Sequence, residues 1–164
     1  MKTFKDSAGQ EWTINITLGA ARRVKEECGI NLLALDEEVA EEGTSVLAIL
    51  GTDELLLGGV IAEILRPQFA ERGTTAEEVI ENFTPEVVLA STNAFFEALI
   101  HFFRTTGRED KATAVEKQLK IIGAGVRVAA TGINEINEDE LIEGMVEAAK
   151  RSGQRSIRSP EPLD

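Results

Sequence analysis

TPEVVLASTNAFFEALIHFFR, Thr84–Arg104, is the stretch whose reading decides the architecture. Thr84 followed by Pro85 is a helix start: proline at the first helical position gives up an N–H that would have no intrahelical partner and brings a pre-set φ. No glycine or further proline interrupts the run to about Arg104. Its apolar positions Val88, Leu89, Phe95, Phe96, Leu99, Ile100, Phe102 and Phe103 cover a face wider than one neighbouring helix needs. The spacing predicts a central helix. So wide a face also leaves a sector for a partner helix, which makes Phe95, Phe96, Leu99, Phe102 and Phe103 candidate partner-binding residues, with core packing as the alternative.

Upstream, Thr75 with Glu78 three residues on forms a capping box ahead of a short helix, Ala76 to Asn82. Before it, DELLLGGVIAEILRPQF from Asp53 to Phe69 is long and apolar enough for a mostly buried helix. Gly58 and Gly59, each costing about 1 kcal/mol relative to alanine, suggest a close helix crossing there. Pro67 marks the end of that helix or a kink. Asp36 to Glu42 reads as an acidic helix closed by Gly43, and Thr44 to Leu50 as a short apolar segment.

At the start of the chain, Lys2–Asp6 and Glu11–Ile16 flank Ser7-Ala8-Gly9-Gln10. Trp12, Ile14 and Ile16 alternate with Thr13 and Asn15, the period of a half-buried strand, so the segment reads as a hairpin with Phe4, Trp12, Ile14 and Ile16 facing inward. Two strands alone are marginal in water, and helices must cover them. Thr17 can cap a first helix carrying Leu18, Ala21, Val24 and Cys28 on one stripe until Gly29 stops it.

Downstream, Arg108 to Ile122 reads as a further helix, after which Gly123, Gly125 and Gly132 loosen the chain into a joint. Asn137 caps a last helix, with Glu140 placed for a capping box. Its stripe of Leu141, Ile142, Met145, Val146 and Ala149 must bury against something, so Leu141, Ile142, Met145 and Val146 join the candidate partner-binding residues. The expected fold is mainly α, α+β only by its N-terminal hairpin, with the hairpin packed on a helical bundle that carries a C-terminal helical arm. The expected organisation is a core domain over 1–122, the joint and last helix over 123–152, and a disordered polar tail over 153–164.

Composition narrows the function classes. A chain of 164 residues, 43% hydrophobic and 28% charged, can bury a real core. Its net charge of −12 repels phosphate backbones and argues against nucleic acid as a partner. The acidity is concentrated: eight acidic residues and no Lys or Arg fall between Asn31 and Leu65, while Lys150, Arg151, Arg155 and Arg158 invert the sign near the end. This charge reads as a solubilising surface. One cysteine and one histidine exclude an internal disulfide and a Cys/His zinc set, and suit a reducing cytoplasm. The first residues lack the apolar core of a secretory signal, and no stretch approaches about 20 uncharged apolar residues, so neither export nor membrane spanning is expected.

The residues that could carry chemistry have simpler readings. Ile121-Ile122-Gly123-Ala124-Gly125-Val126 starts like a dinucleotide-binding turn, but the position of the third small residue holds Val128 and no βαβαβ half follows. No cofactor or metal is therefore expected. His101 lacks a serine or cysteine arrangement around it and reads as a packed or boundary residue, and Cys28 as a small core residue. The carboxylates sit at helix starts and on solvent faces, where they complement helix dipoles. Nothing converges on an enzyme.

Two stretches carry a family resemblance. KTFKDSAGQEWTINITLGAARRVKEECGINLL, residues 2–33, resembles the opening of small phage proteins encoded in tail-gene clusters: a strand, a Gly turn, a strand ending W-T-x, then a helix leading into G-[IV]-[ND]-L-L. LLLGGVIAEILRPQFAERGTTAEEVIENFTPEVVLASTNAFFEALIHFF, residues 55–103, is similar to them in its proline after a long apolar helix and its closing E-A-L-x-x-F-F. The likeness covers about Met1 to Arg104. Such proteins resemble the tail assembly chaperones of long-tailed phages. The resemblance implies a non-enzymatic protein of the bacterial host cytoplasm that binds the helical tape measure protein, and in some form the tail tube protein, while the tube polymerises. It also implies possible homo-oligomers. The other readings of the same residues are a structural tail or connector subunit of the virion and an acidic helical adaptor for protein–protein interaction.

Overall fold

The computed structural model describes residues 1–35, 38–39 and 44–135, with the backbone alone for 38–39 and 126–135. The chain divides into two units, Met1–Ile122 and Gly123–Asp164. The fold is mainly α with an N-terminal two-stranded antiparallel hairpin.

β1 (Lys2–Lys5) pairs with β2 (Glu11–Ile14) in the register Lys2↔Ile14, Thr3↔Thr13, Phe4↔Trp12, Lys5↔Glu11. Gly9, at φ 80°, supplies the left-handed residue the turn needs. Phe4, Trp12, Ile14 and Ile16 are all buried, the inward set that period-two alternation predicts.

α1 (Leu18–Cys28) starts where Thr17 accepts from the Ala20 N–H and ends at Gly29 in the left-handed region. Its buried face is Ala20, Ala21 and Val24. Leu18 is 70% exposed, a departure from the expected stripe: as the first helical residue it lies on the outer side of the turn.

The expected acidic helix over 36–42 is replaced, at the residues described, by β3 (Glu38–Val39), which pairs with β4 (Thr44–Ser45). The physical reason is in the sequence: Glu37/Glu41 and Glu38/Glu42 would repel at i,i+4, and only Val39 and Ala40 could face a core. Gly43 lies outside the described residues. Ser45 then caps α2 (Val46–Thr52), and Asp53 caps α3 (Glu54–Arg72) through the Leu56 N–H at 2.9 Å.

α3 does not end at Pro67. Proline removes the N–H that would reach the Glu63 carbonyl, and the Arg23 Nε–H of α1 donates to that oxygen instead at 3.3 Å. The helix continues to Arg72 and closes on Gly73. The glycine pair also differs from expectation. A Cβ on Gly58 would meet nothing within 4 Å and one on Gly59 would touch only Cys28 Sγ at 4.0 Å, so neither is needed for a close crossing. The close approach is at Gly51, where a Cβ would lie 2.7 Å from Gln118 Nε2 and 3.1 Å from Ile122 Cδ1.

α4 (Ala76–Ile80) carries the Thr75/Glu78 capping box with both bonds formed. The Thr74 hydroxyl and the Thr75 N–H both donate to the Glu78 carboxylate and hold its pKa below the usual range. α5 (Pro85–Thr105) follows, and α6 (Glu109–Glu135) runs on through Gly123, Gly125 and Gly132. The expected joint there is helical backbone, since glycine weakens a helix without the steric block that proline imposes. The helix predicted from Asn137 and the tail lie outside the described residues.

The core of the first unit gathers around α5. The hairpin and α3 pack on it, and α1 packs on α3. Phe4, Trp12, Val24, Leu50, Leu65, Phe69 and Val115 from the surrounding elements join its phenylalanines in one buried cluster.

Candidate functional site

The five α5 candidates fall inside this core. Phe95, Phe96 and Leu99 have no exposed surface, Phe103 is 2% exposed, and Phe102 is half-buried against the same cluster. Phe95 and Phe96 meet edge to face at 5.2 Å, and Phe102 and Phe103 do so at 5.6 Å. At the far end, Phe103 lines a small apolar cavity with Leu35, Leu47, Ala114 and Val115. Most of the wide face, from Phe95 to Phe103, is therefore used by several neighbours at once; of its other members Val88 is half-buried and Leu89 is 45% exposed. The second group, Leu141, Ile142, Met145 and Val146, lies outside the described residues.

The potential chemical groups are dispersed. Cys28 is half-buried, and burial, with Glu63 and Glu27 adding to it, pushes its thiol pKa up, the reverse of an activated nucleophile. His101 is exposed on α5 and lines an open groove of about 290 Å³ with Lys2, Glu97, Ile100, Arg104 and Glu116. Within the groove Lys2 pairs with Glu97 at 2.7 Å, and Arg104 pairs with Glu109 at 3.3 Å and with Glu116. Glu109 foremost, then Glu116, raises the Arg104 pKa further. Each cation is already answered by an acid, so the groove presents mixed charge to a ligand. Among the described residues no group of three His, Cys, Asp or Glu could hold a metal.

The two edges of the hairpin are treated differently. On the β2 side, the Gln68 amide of α3 clasps Thr13: the Thr13 N–H donates to Oε1 at 3.1 Å, and Nε2 donates to the Thr13 carbonyl at 2.7 Å. One turn on, Arg72 Nη2 donates to the Glu11 carbonyl at 2.7 Å. These side chains occupy the ladder positions a third strand would take. On the β1 side the hairpin is flanked by α5, whose Glu97 pairs with Lys2.

A clip fixes the hairpin to its base. Asp6 accepts from the N–H groups of Ala8 and Gln10 with one oxygen and from Trp12 Nε1 with the other, at 2.8–3.0 Å. Trp12 itself is wholly buried, edge to face with Phe69 at 5.3 Å, and Arg72 lies over its ring at 4.1 Å. Sequence reasoning assigned Trp12 to the core and missed its two polar partners, Asp6 and Arg72, and the Gln68 clasp on the neighbouring Thr13. A usable signal was present: an aspartate at the start of the turn six residues before the tryptophan, and Gln68 and Arg72 one turn apart on α3.

α5 is long and apolar enough to cross a membrane by length and composition, although Glu97 keeps it from being an uncharged run of about 20 residues, and half of the window concerned is buried in the first unit. No family model matches this chain, and no curated protein or solved structure matches it significantly. The functional reading therefore rests on the residues themselves.

Proposed function

We propose that this protein is a non-enzymatic assembly chaperone that binds the helical tape measure protein during phage tail assembly in the cytoplasm of a bacterial host. The observation that carries the reading is the likeness of residues 2–33 and 55–103 to tail-cluster chaperones. In support, these two stretches supply β1, β2, α1, α3, α4 and α5, which pack into one unit, so the resembling motifs are the structural frame of that unit. An acidic chain of net charge −12 suits a protein that keeps an apolar client dispersed. Binding through Phe95 to Phe103 is withdrawn from the proposal because the core uses those residues. The contact is assigned instead to the stripe of Leu141, Ile142, Met145 and Val146, whose three- and four-residue spacing suits helix-on-helix recognition.

Coexpression with a tape measure protein tests this. The client becomes soluble and copurifies with the full chain, and the double variant Leu141→Asp, Met145→Asp loses it while keeping the far-ultraviolet spectrum. A client that is insoluble with and without the chain sinks the proposal. Recovery of the chain from purified virions favours a structural subunit instead.

A further inference from the structure

We draw no further inference here: the strongest candidate, the outward apolar patch near the start of α3, where Leu55 is 91% exposed and a Cβ on Gly58 would meet nothing within 4 Å, carries nothing because nothing in the structure shows what covers it.

Discussion

α5 and α6 are both long helices with apolar stripes, and they are held in opposite ways. Around α5, Phe95, Phe96, Leu99 and Phe103 are covered almost completely: the hairpin and α3 pack on the helix, and Leu47 of α2 with Ala114 and Val115 of α6 meet it at Phe103. Within the first unit, α6 buries only Ala112 and Val115, with Ala114, Leu119 and Ile122 half-packed against the core, while Ile121 is 63% exposed. The width of an apolar stripe therefore counts the neighbours a helix has in its own fold before it says anything about a partner. A wide stripe marks the centre and a narrow one the margin.

The contrast can be broken by substitution. Phe96→Ala leaves a cavity in the buried cluster and is expected to lower the unfolding free energy by about 3–5 kcal/mol in urea titration. A loss under about 1 kcal/mol would mean that the α5 face is loosely covered. Asp6→Ala attacks the cover of α5 and leaves α6 alone: it strands the buried Trp12 indole N–H and two turn amides, for an expected loss of about 1–3 kcal/mol and a red-shifted Trp12 emission. Leu119→Ala on α6 removes a half-packed side chain and is expected to cost about 1 kcal/mol. If it costs as much as Phe96→Ala, the two helices are equally central.

The smallest effect is that of acid on the first turn of α6. Arg108, bonded to both oxygens of Asp110 at 2.8 and 3.1 Å, leads the groups that lower its pKa from 3.8 to about 2. A depressed carboxylate stabilises the fold above its unfolded pKa and loses that contribution as pH falls toward the folded one. The melting temperature is thus expected to fall between about pH 4 and pH 2, and Asp110→Asn to fall less over that window. Both groups are exposed, so a shift as large as that of Leu119→Ala would contradict the assignment of this pair as a surface one.

Much of the frame was legible because local chemistry and tertiary packing agree. Thr17 and Gly29 bound α1, Thr75 and Glu78 form the capping box, Thr84 and Pro85 start α5, and the alternation of Trp12, Ile14 and Ile16 sets the inward face of the hairpin. What was not legible depends on partners distant in sequence. Pro67 stays inside α3 because Arg23, 40 residues or more upstream, takes up the Glu63 carbonyl. Gly51 matters because α6 returns against it, and Gly58 does not because nothing returns there. The α5 phenylalanines could be read as core or as spare surface because a sequence displays one helix at a time and cannot count the elements that will surround it. Asp6 read as a turn residue, and only the folded hairpin reveals it as the acceptor for a buried indole.

The central claim is that α5 is the inaccessible core of its unit and α6 its margin, and native-state amide hydrogen exchange measures this helix by helix. The account predicts that amides from Phe95 to Phe103 exchange only through global unfolding, with the free energy and urea dependence of the Trp12 fluorescence transition, while those from Ala112 to Ile122 exchange through a smaller local opening. Amides of α5 that exchange as readily as those of α6 would contradict it.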